Sequence, residues 1–313
     1  MNQAVKQLFT VAFALVFLAG TAFAQNTTDI DQTGSQGNST ANVTQINGTD
    51  NSATVNQNSG FLNGAVTTLS GRIGHVTEIL QDGSDNIGDV VQTQNQAGTF
   101  IDQVGDENET RISQAGFSTA NVMQTGNRNI VGDFSNPSGA ASSEQNSTSF
   151  PSSANELDVT QIGDDNTVGV DQRDNTDADI MITGDRNDVR VDQFEIFGDK
   201  DVADITVSGN DNVGYVTQAG GGNSFTLTQQ NGDFNEARVD QSGGAIADIL
   251  QDGSMNIVQG ISGASSIGVS ANGSTLDVDQ LGTGNTLSLD QTDGANASVF
   301  QDGTLNTSEV IQN

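Results

Sequence analysis

A twelve-residue pattern recurs along this chain, and recurrence constrains a fold more tightly than any single motif, because every copy must take the shape of the next. The pattern reads Q-x-G-x-x-N-x-a-x-v-x-Q, with lower case for small or apolar residues. It is met as QDGSDNIGDVVQ (Gln81 to Gln92), QVGDENETRISQ (Gln103 to Gln114), QIGDDNTVGVDQ (Gln161 to Gln172), QAGGGNSFTLTQ (Gln218 to Gln229) and QNGDFNEARVDQ (Gln230 to Gln241). It returns as QLGTGNTLSLDQ (Gln280 to Gln291) and QDGTLNTSEVIQ (Gln301 to Gln312). Two more copies, ITGDRNDVRVDQ and VSGNDNVGYVTQ, replace only the first Gln, by Ile182 and Val207.

Within a copy the Asn, the two apolar positions and the last Gln lie two residues apart, so they share one face of an extended strand. In the copy ending at Gln241 that face holds Asn235, Ala237, Val239 and Gln241, while Glu236, Arg238 and Asp240 point away. The x-G-x-x step between Gln and Asn is where the chain turns, since Gly accepts backbone angles closed to other residues. Shorter arms, such as AIADILQ ending at Gln251 and STANVMQ ending at Gln124, lie between the full copies. Anchors follow at steps of 11, 10 and 11 residues from Gln230 through Gln241 and Gln251 to Ser262, and again from Gln280 through Gln291 and Gln301 to Gln312.

Two arms make one coil, and one coil cannot bury its own apolar face, so coils must stack. The expected fold is all-β: a β-solenoid of about 13 two-strand coils, with two parallel sheets facing each other across a thin core. A buried amide without partners costs roughly 1 to 3 kcal/mol. In a stack, each inward Gln or Asn donates to the coil on one side and accepts from the other, which satisfies it and fixes register.

Composition narrows the function. There is no Cys and no Trp, so neither disulfides nor a large aromatic core holds the chain together. A formal charge of −31 repels nucleic acid and anionic lipid headgroups, which makes nucleic acid and membrane insertion poor partners. Lys6 followed by LFTVAFALVFLAGTAFA reads as a secretory signal peptide over residues 1–24. Beyond it only one His, His75, and one Lys, Lys200, remain, and no nucleophile, phosphate loop or metal spacing joins them, so no enzyme and no cofactor is expected. His75 reads as an exposed turn residue. Asp-rich turns such as GDDN (Gly163 to Asn166) read as solvated carboxylates, because the period is wrong for a calcium-binding nonapeptide repeat.

The repeat resembles the curlin repeat of curli fibre subunits, Q-x-G-x-x-N-x-A-x-x-x-Q. That resemblance implies a subunit exported through the periplasm of a Gram-negative bacterium and passed unfolded through an outer-membrane secretion channel. It also implies polymerisation on a nucleator into extracellular, fimbria-like amyloid fibres for adhesion and biofilm matrix. Carried over residue by residue, the inward ladder positions are Asn86, Gln92, Asn108, Gln114, Asn166, Gln172, Asn223, Gln229, Asn235, Gln241, Asn285, Gln291, Asn306 and Gln312. The chain departs from the family in its length and in a Pro/Ser-rich interruption, 134–156, read as a loop or hinge between a first stack, 25–133, and a second, 157–313. Gln312 completes an arm near the C-terminus, so that face is expected to dock on the coils around Gln32, Gln45 and Gln57 of another copy, giving a head-to-tail homopolymer. The alternative is a monomeric secreted solenoid acting as an adhesin or as a glycan- or ice-binding surface.

Overall fold

The computed structural model describes residues 27–33, 40–46, 52–58, 64–73, 75–95, 97–115, 117–132, 143–146, 154–194, 199–260, 268–269, 274–291 and 294–312. The expected signal peptide, residues 1–24, lies outside them. Strands alternate between two sheets. Val76–Asp82 pairs with Ala97–Val104, while Ile87–Asn95, which lies between them in sequence, pairs with Glu109–Ala115 in the opposite sheet. One sheet has 12 strands and the other 14, paired in parallel throughout. Two rungs of the second sheet are each built from two short strands, so 14 pieces also make twelve rungs, close to the thirteen coils expected.

Register follows the repeat. Gln81, Gln103, Gln124 and Gln161 are direct partners on successive strands of the first sheet, as are Gln92 and Gln114 in the second. Facing side chains fill the space between the sheets: Ile79, Ile101, Val122, Val159, Ile180, Ile205 and Leu227 from the first, Val90, Ile112, Val170, Val191 and Val239 from the second, all buried. Burial strictly alternates along a strand, as in Ser118–Thr125, because a period of two puts every other residue in solvent. Phe225 is the largest fully buried side chain, and Gly214 makes room nearby: a Cβ there would lie 2.8 Å from Leu227 Cδ2.

The arcs depend on their glycines. Gly163 has φ +124°, and a Cβ on it would meet the carbonyl oxygen of Gly184, one coil further on, at 2.1 Å. The same is true of Gly105 against Gly126 and of Gly184 against Gly209, each at 2.0 Å. Glycine is needed here twice over, for an angle that only it adopts easily and for stacking of arc on arc at hydrogen-bonding distance.

Four expectations change. The interruption does not divide the strand pairing into two stacks: Ser118–Thr125 pairs directly with Asn155–Ile162 across it, and Ser143–Asn146, inside the interruption, joins the second sheet. That rung opens after Val131, a partner of Thr110, and resumes at Ser143, a partner of Ile112, so its two halves are one position apart along the neighbouring strand. The anchor assigned to Ser262 is filled instead by Val269, which pairs with Gln241 and Gln291. The doublet Gln229-Gln230 is anchored by Gln229, partner of Gln251; Gln230 faces outward and donates to Asp252. Its arc holds one extra residue, which moved the expected anchor by one. His75 is fully buried, with Nδ1 accepting the Ala97 N–H at 3.2 Å.

Gly163→Ala is expected to destabilise the chain by at least ~3 kcal/mol, since backbone strain and a clash with a carbonyl combine. A denaturation midpoint unchanged from the parent would contradict this account of the arcs.

Candidate functional site: stacked amide ladders

Two columns of glutamine run along the interior. In the second sheet Gln92 Nε2 donates to Gln114 Oε1 at 2.9 Å, and the chain of bonds continues through Gln145, Gln172, Gln193 and Gln218 to Gln241 at 2.7 to 3.0 Å. In the first sheet it runs from Gln81 through Gln103 and Gln124 to Gln161, then again from Gln229 through Gln251 and Gln280 to Gln301. Every one of these bonds has the same sense, donor toward the C-terminal end. The second proton of each Nε2 crosses to a carbonyl of the opposite sheet, as from Gln103 to Ile87 O at 3.0 Å and from Gln172 to Glu156 O at 2.8 Å. Glutamine therefore ties rung to rung and sheet to sheet.

Apolar rungs interrupt both columns. Ile182 and Val207 separate Gln161 from Gln229, and Val269 separates Gln241 from Gln291. Gln229 Oε1 and Gln291 Oε1 are buried without a hydrogen bond, and both sit immediately after such a gap. The direction of the ladder explains this: an acceptor is served from the preceding rung, and a valine there has no donor.

A third column, of asparagine, is continuous over ten arcs. Asn86 Oδ1 accepts the backbone N–H of Asn108, and Asn108 Oδ1 that of Asn129, a relation repeated through Asn166, Asn187, Asn212, Asn235, Asn256 and Asn285 to Asn306 at 2.9 to 3.2 Å. Each Nδ2 donates to the arc glycine of the next coil, as Asn166 does to Gly184 O at 2.6 Å. The side-chain amide thus supplies a hydrogen-bonding group where the turning backbone cannot. His75 does the same work in the other turn.

Of the fourteen predicted ladder residues, twelve are buried at 2 % exposure or less; Asn306 and Gln312, in the last rung, are half-buried. Asn223 belongs to the turn that returns from the second sheet to the first, where its Oδ1 accepts Ala245 N–H. Gln81, Gln103, Gln161, Gln280 and Gln301, each of which opens a pattern, were not among the predicted residues but carry most of the first-sheet column. Asn129 and Asn256 were also missed, although the half-pattern Q-x-G-x-x-N marks both, in QTGNRN and QDGSMN. The proposed docking residues Gln32, Gln45 and Gln57 lie in strands, with Gln32 paired to Gln57 and Gln45 to Leu69; their side chains lie outside the described residues.

The outer surfaces differ. Among the described residues the outward positions of the first sheet hold no arginine or lysine, and register stacks Asp158, Asp179 and Asp204 on successive strands, and Asp248 on Asp277. The second sheet carries arginines with partners: Tyr215 lies between Arg190 and Arg238, 4.9 Å from each, and donates to Asp188 at 2.6 Å. Along the arcs, charge alternates from coil to coil over Glu107, Arg128, Asp165, Arg186 and Asp211. Arg128 is bound to Asp165 at 2.6 Å and Arg186 to Asp211 at 2.8 Å. Among the described residues no three carboxylates or imidazoles are placed to hold a metal ion, and no helix is long and apolar enough to cross a membrane.

Partial burial, then the stacked Asp204 and Asp158, push the Asp179 carboxyl above its ordinary range; burial and Asp277 do the same to Asp248. Such groups favour the fold below the ordinary carboxylate pKa, a contribution lost as pH rises through their folded values. Asp165 and Asp211 run the other way, held low by hydrogen bonds from Arg128 and Arg186, so their contribution is lost only as pH falls below that range. The two trends place the stability maximum near pH ~4. A urea midpoint no higher at pH 4 than at pH 7 would count against the stacked-carboxylate reading.

Gln172→Leu is expected to cost ~2 to 4 kcal/mol, because Gln145 Nε2 loses its acceptor and Gln193 Oε1 its donor. Gln301→Leu strips only Gln280 of a ladder partner and should cost about half as much. Equal losses at the two sites, read from urea unfolding of the monomer, would show that the neighbours' orphaned amides do not set the cost. The chain matches no protein-family model and no curated protein sequence.

Proposed function

We propose that this chain is an exported structural subunit that polymerises head to tail into curli-like extracellular amyloid fibres, serving adhesion and the biofilm matrix. The observation that carries the proposal is the pair of open column ends. Among the described residues, Asn296–Thr304 and Thr307–Gln312 each pair with one neighbour only, as do Thr27–Thr33 and Thr40–Ile46 at the other end. A parallel strand with one free edge is a template for another.

The two ends also fit each other by polarity. Every glutamine bond donates toward the C-terminal end, so that end presents donors and the N-terminal end receives them. Continuing the register places Gln301 against Gln32 and Gln312 against Gln45 of the next molecule, with Val299 on Ile30 and Val310 on Val43. A nucleator and an outer-membrane channel complete the proposal on the strength of the family resemblance, and export from a Gram-negative cell goes with them. The acidic outer face of the first sheet acts as a brake on association at neutral pH, which acid relieves.

Fibre diffraction of aged protein should give reflections near 4.8 Å and about 10 Å. Deleting Gln301 to Asn313 should slow elongation followed by thioflavin-T fluorescence. A parent protein that stays monomeric at high concentration would remove the fibre reading and leave the monomeric adhesin in its place.

A further inference from the structure

One residue in each arc has a left-handed backbone, and these residues form a single line along one edge of the column. The line is drawn by backbone bonds between successive arcs: Glu107 N–H to Ser84 O, Arg128 to Asp106, Asp165 to Asn127, Arg186 to Asp164, Asp211 to Asp185, Phe234 to Asn210, Met255 to Asp233 and Leu305 to Thr283. It opens on two acids, Asp85 and Glu107, and alternates in charge from Glu107 to Asp211. Its last part, Phe234, Met255, Gly284 and Leu305, is uncharged, with Phe234 59 %, Met255 52 % and Leu305 76 % exposed.

The apolar part is costly for a lone chain. Phe234, Met255 and Leu305 sit at φ 61°, 56° and 56°, a region that Gly, Asn and Asp fill easily and bulky side chains enter at a cost. Exposure returns nothing for that strain within one molecule. Bulky groups held in a strained, solvent-facing row are explained if a partner covers them.

We propose that this ridge is a lateral interface with a second copy of the same chain, two columns lying side by side in the same direction and offset by one rung. The charges select this partner and this offset. Displaced by one rung, about 4.8 Å, a second ridge sets Glu107 opposite Arg128, Arg128 opposite Asp165, Asp165 opposite Arg186 and Arg186 opposite Asp211. The same offset lays Phe234 on Met255 and Met255 on Gly284; it sets one like-charged pair, Asp85 and Glu107, against the four opposed ones. In-step packing would instead set each charge against its like. The inference rests on the fibre reading for its setting, yet it concerns fibre width and not growth at the ends.

The test is a variant carrying Phe234→Asn and Met255→Asn, both away from the terminal rung. Asparagine suits the left-handed backbone, so the urea midpoint of the monomer should hold or rise. Mass per unit length, from scanning transmission electron microscopy of unstained fibres, should correspond to two columns in the parent and fall about two-fold in the variant. The thioflavin-T elongation rate should stay unchanged. A parent fibre with the mass of one column, or a variant that keeps the parent's mass, overturns the lateral interface. Should the double variant lose its fold, Phe234→Asn alone, whose fibres should fray into single columns more than the parent's, gives the same decision. If the parent forms no fibres, the head-to-tail reading fails, and sedimentation of the soluble protein decides the lateral one: dimers that the variant lacks support it, monomers overturn it.

Discussion

Stacking parallel rungs at β-sheet spacing forces every side chain to meet the residue at its own position in the next coil. Most residue types tolerate this poorly: carboxylates repel, and buried polar groups go unpaired. A primary amide is the exception, because it carries a donor and an acceptor on opposite sides and is its own complement. The interior of this column follows from that. Glutamine occupies the strand ends, where its second proton can also reach the facing sheet, and the shorter asparagine occupies the arcs, where it bonds the turning backbone and the asparagine of the preceding arc. Aliphatic residues fill the positions between, since they are self-complementary by shape alone.

The solution on the outside is different. Water screens the outer faces, so repeated charge is endured there and offset locally. On the arcs from Glu107 to Asp211, acid and arginine alternate from one coil to the next, and Arg128 and Arg186 are each bound to an aspartate of the neighbouring coil. On the second sheet, Tyr215 separates two arginines that register would otherwise stack. On the first sheet Asn121 donates to Asp158 at one end of the row, but Asp179 lies between Asp158 and Asp204, and its carboxyl is raised by burial and by both neighbours. The two faces of one column are thus chemically distinct, which gives a fibre built from it two unlike sides.

The fold was legible in the sequence because its signals are short-range and repeated: period two within an arm, glycine at each arc, an amide at each anchor. What escaped notice was whatever the repeat does not mark. The rung formed by Val131 and Gln145 could not be read, since its halves are separated by an insertion longer than the rung itself. Val269 was hidden for the same reason. The Gln229-Gln230 doublet offered two anchors of identical chemistry, and only the pairing with Gln251 distinguishes them. His75 looked out of place because residue type was weighed rather than hydrogen-bonding capacity; a neutral imidazole nitrogen accepts an N–H as an amide oxygen does. The ladder gaps at Ile182 and Val207 were visible as substitutions, but the buried acceptor they leave on Gln229 becomes apparent only once the direction of donation is known.

The two opened rungs have a bearing beyond this molecule. Both lie in the second sheet, five rungs apart, or about 24 Å, and in each the chain departs from a core position and rejoins in register with its neighbours. Register is held by the coils above and below, so the number of residues between the two halves of such a rung is largely free of the column's own requirements. A column of this kind can gain sequence at a rung without any change of pitch, and its length in ångströms is set by the count of rungs alone.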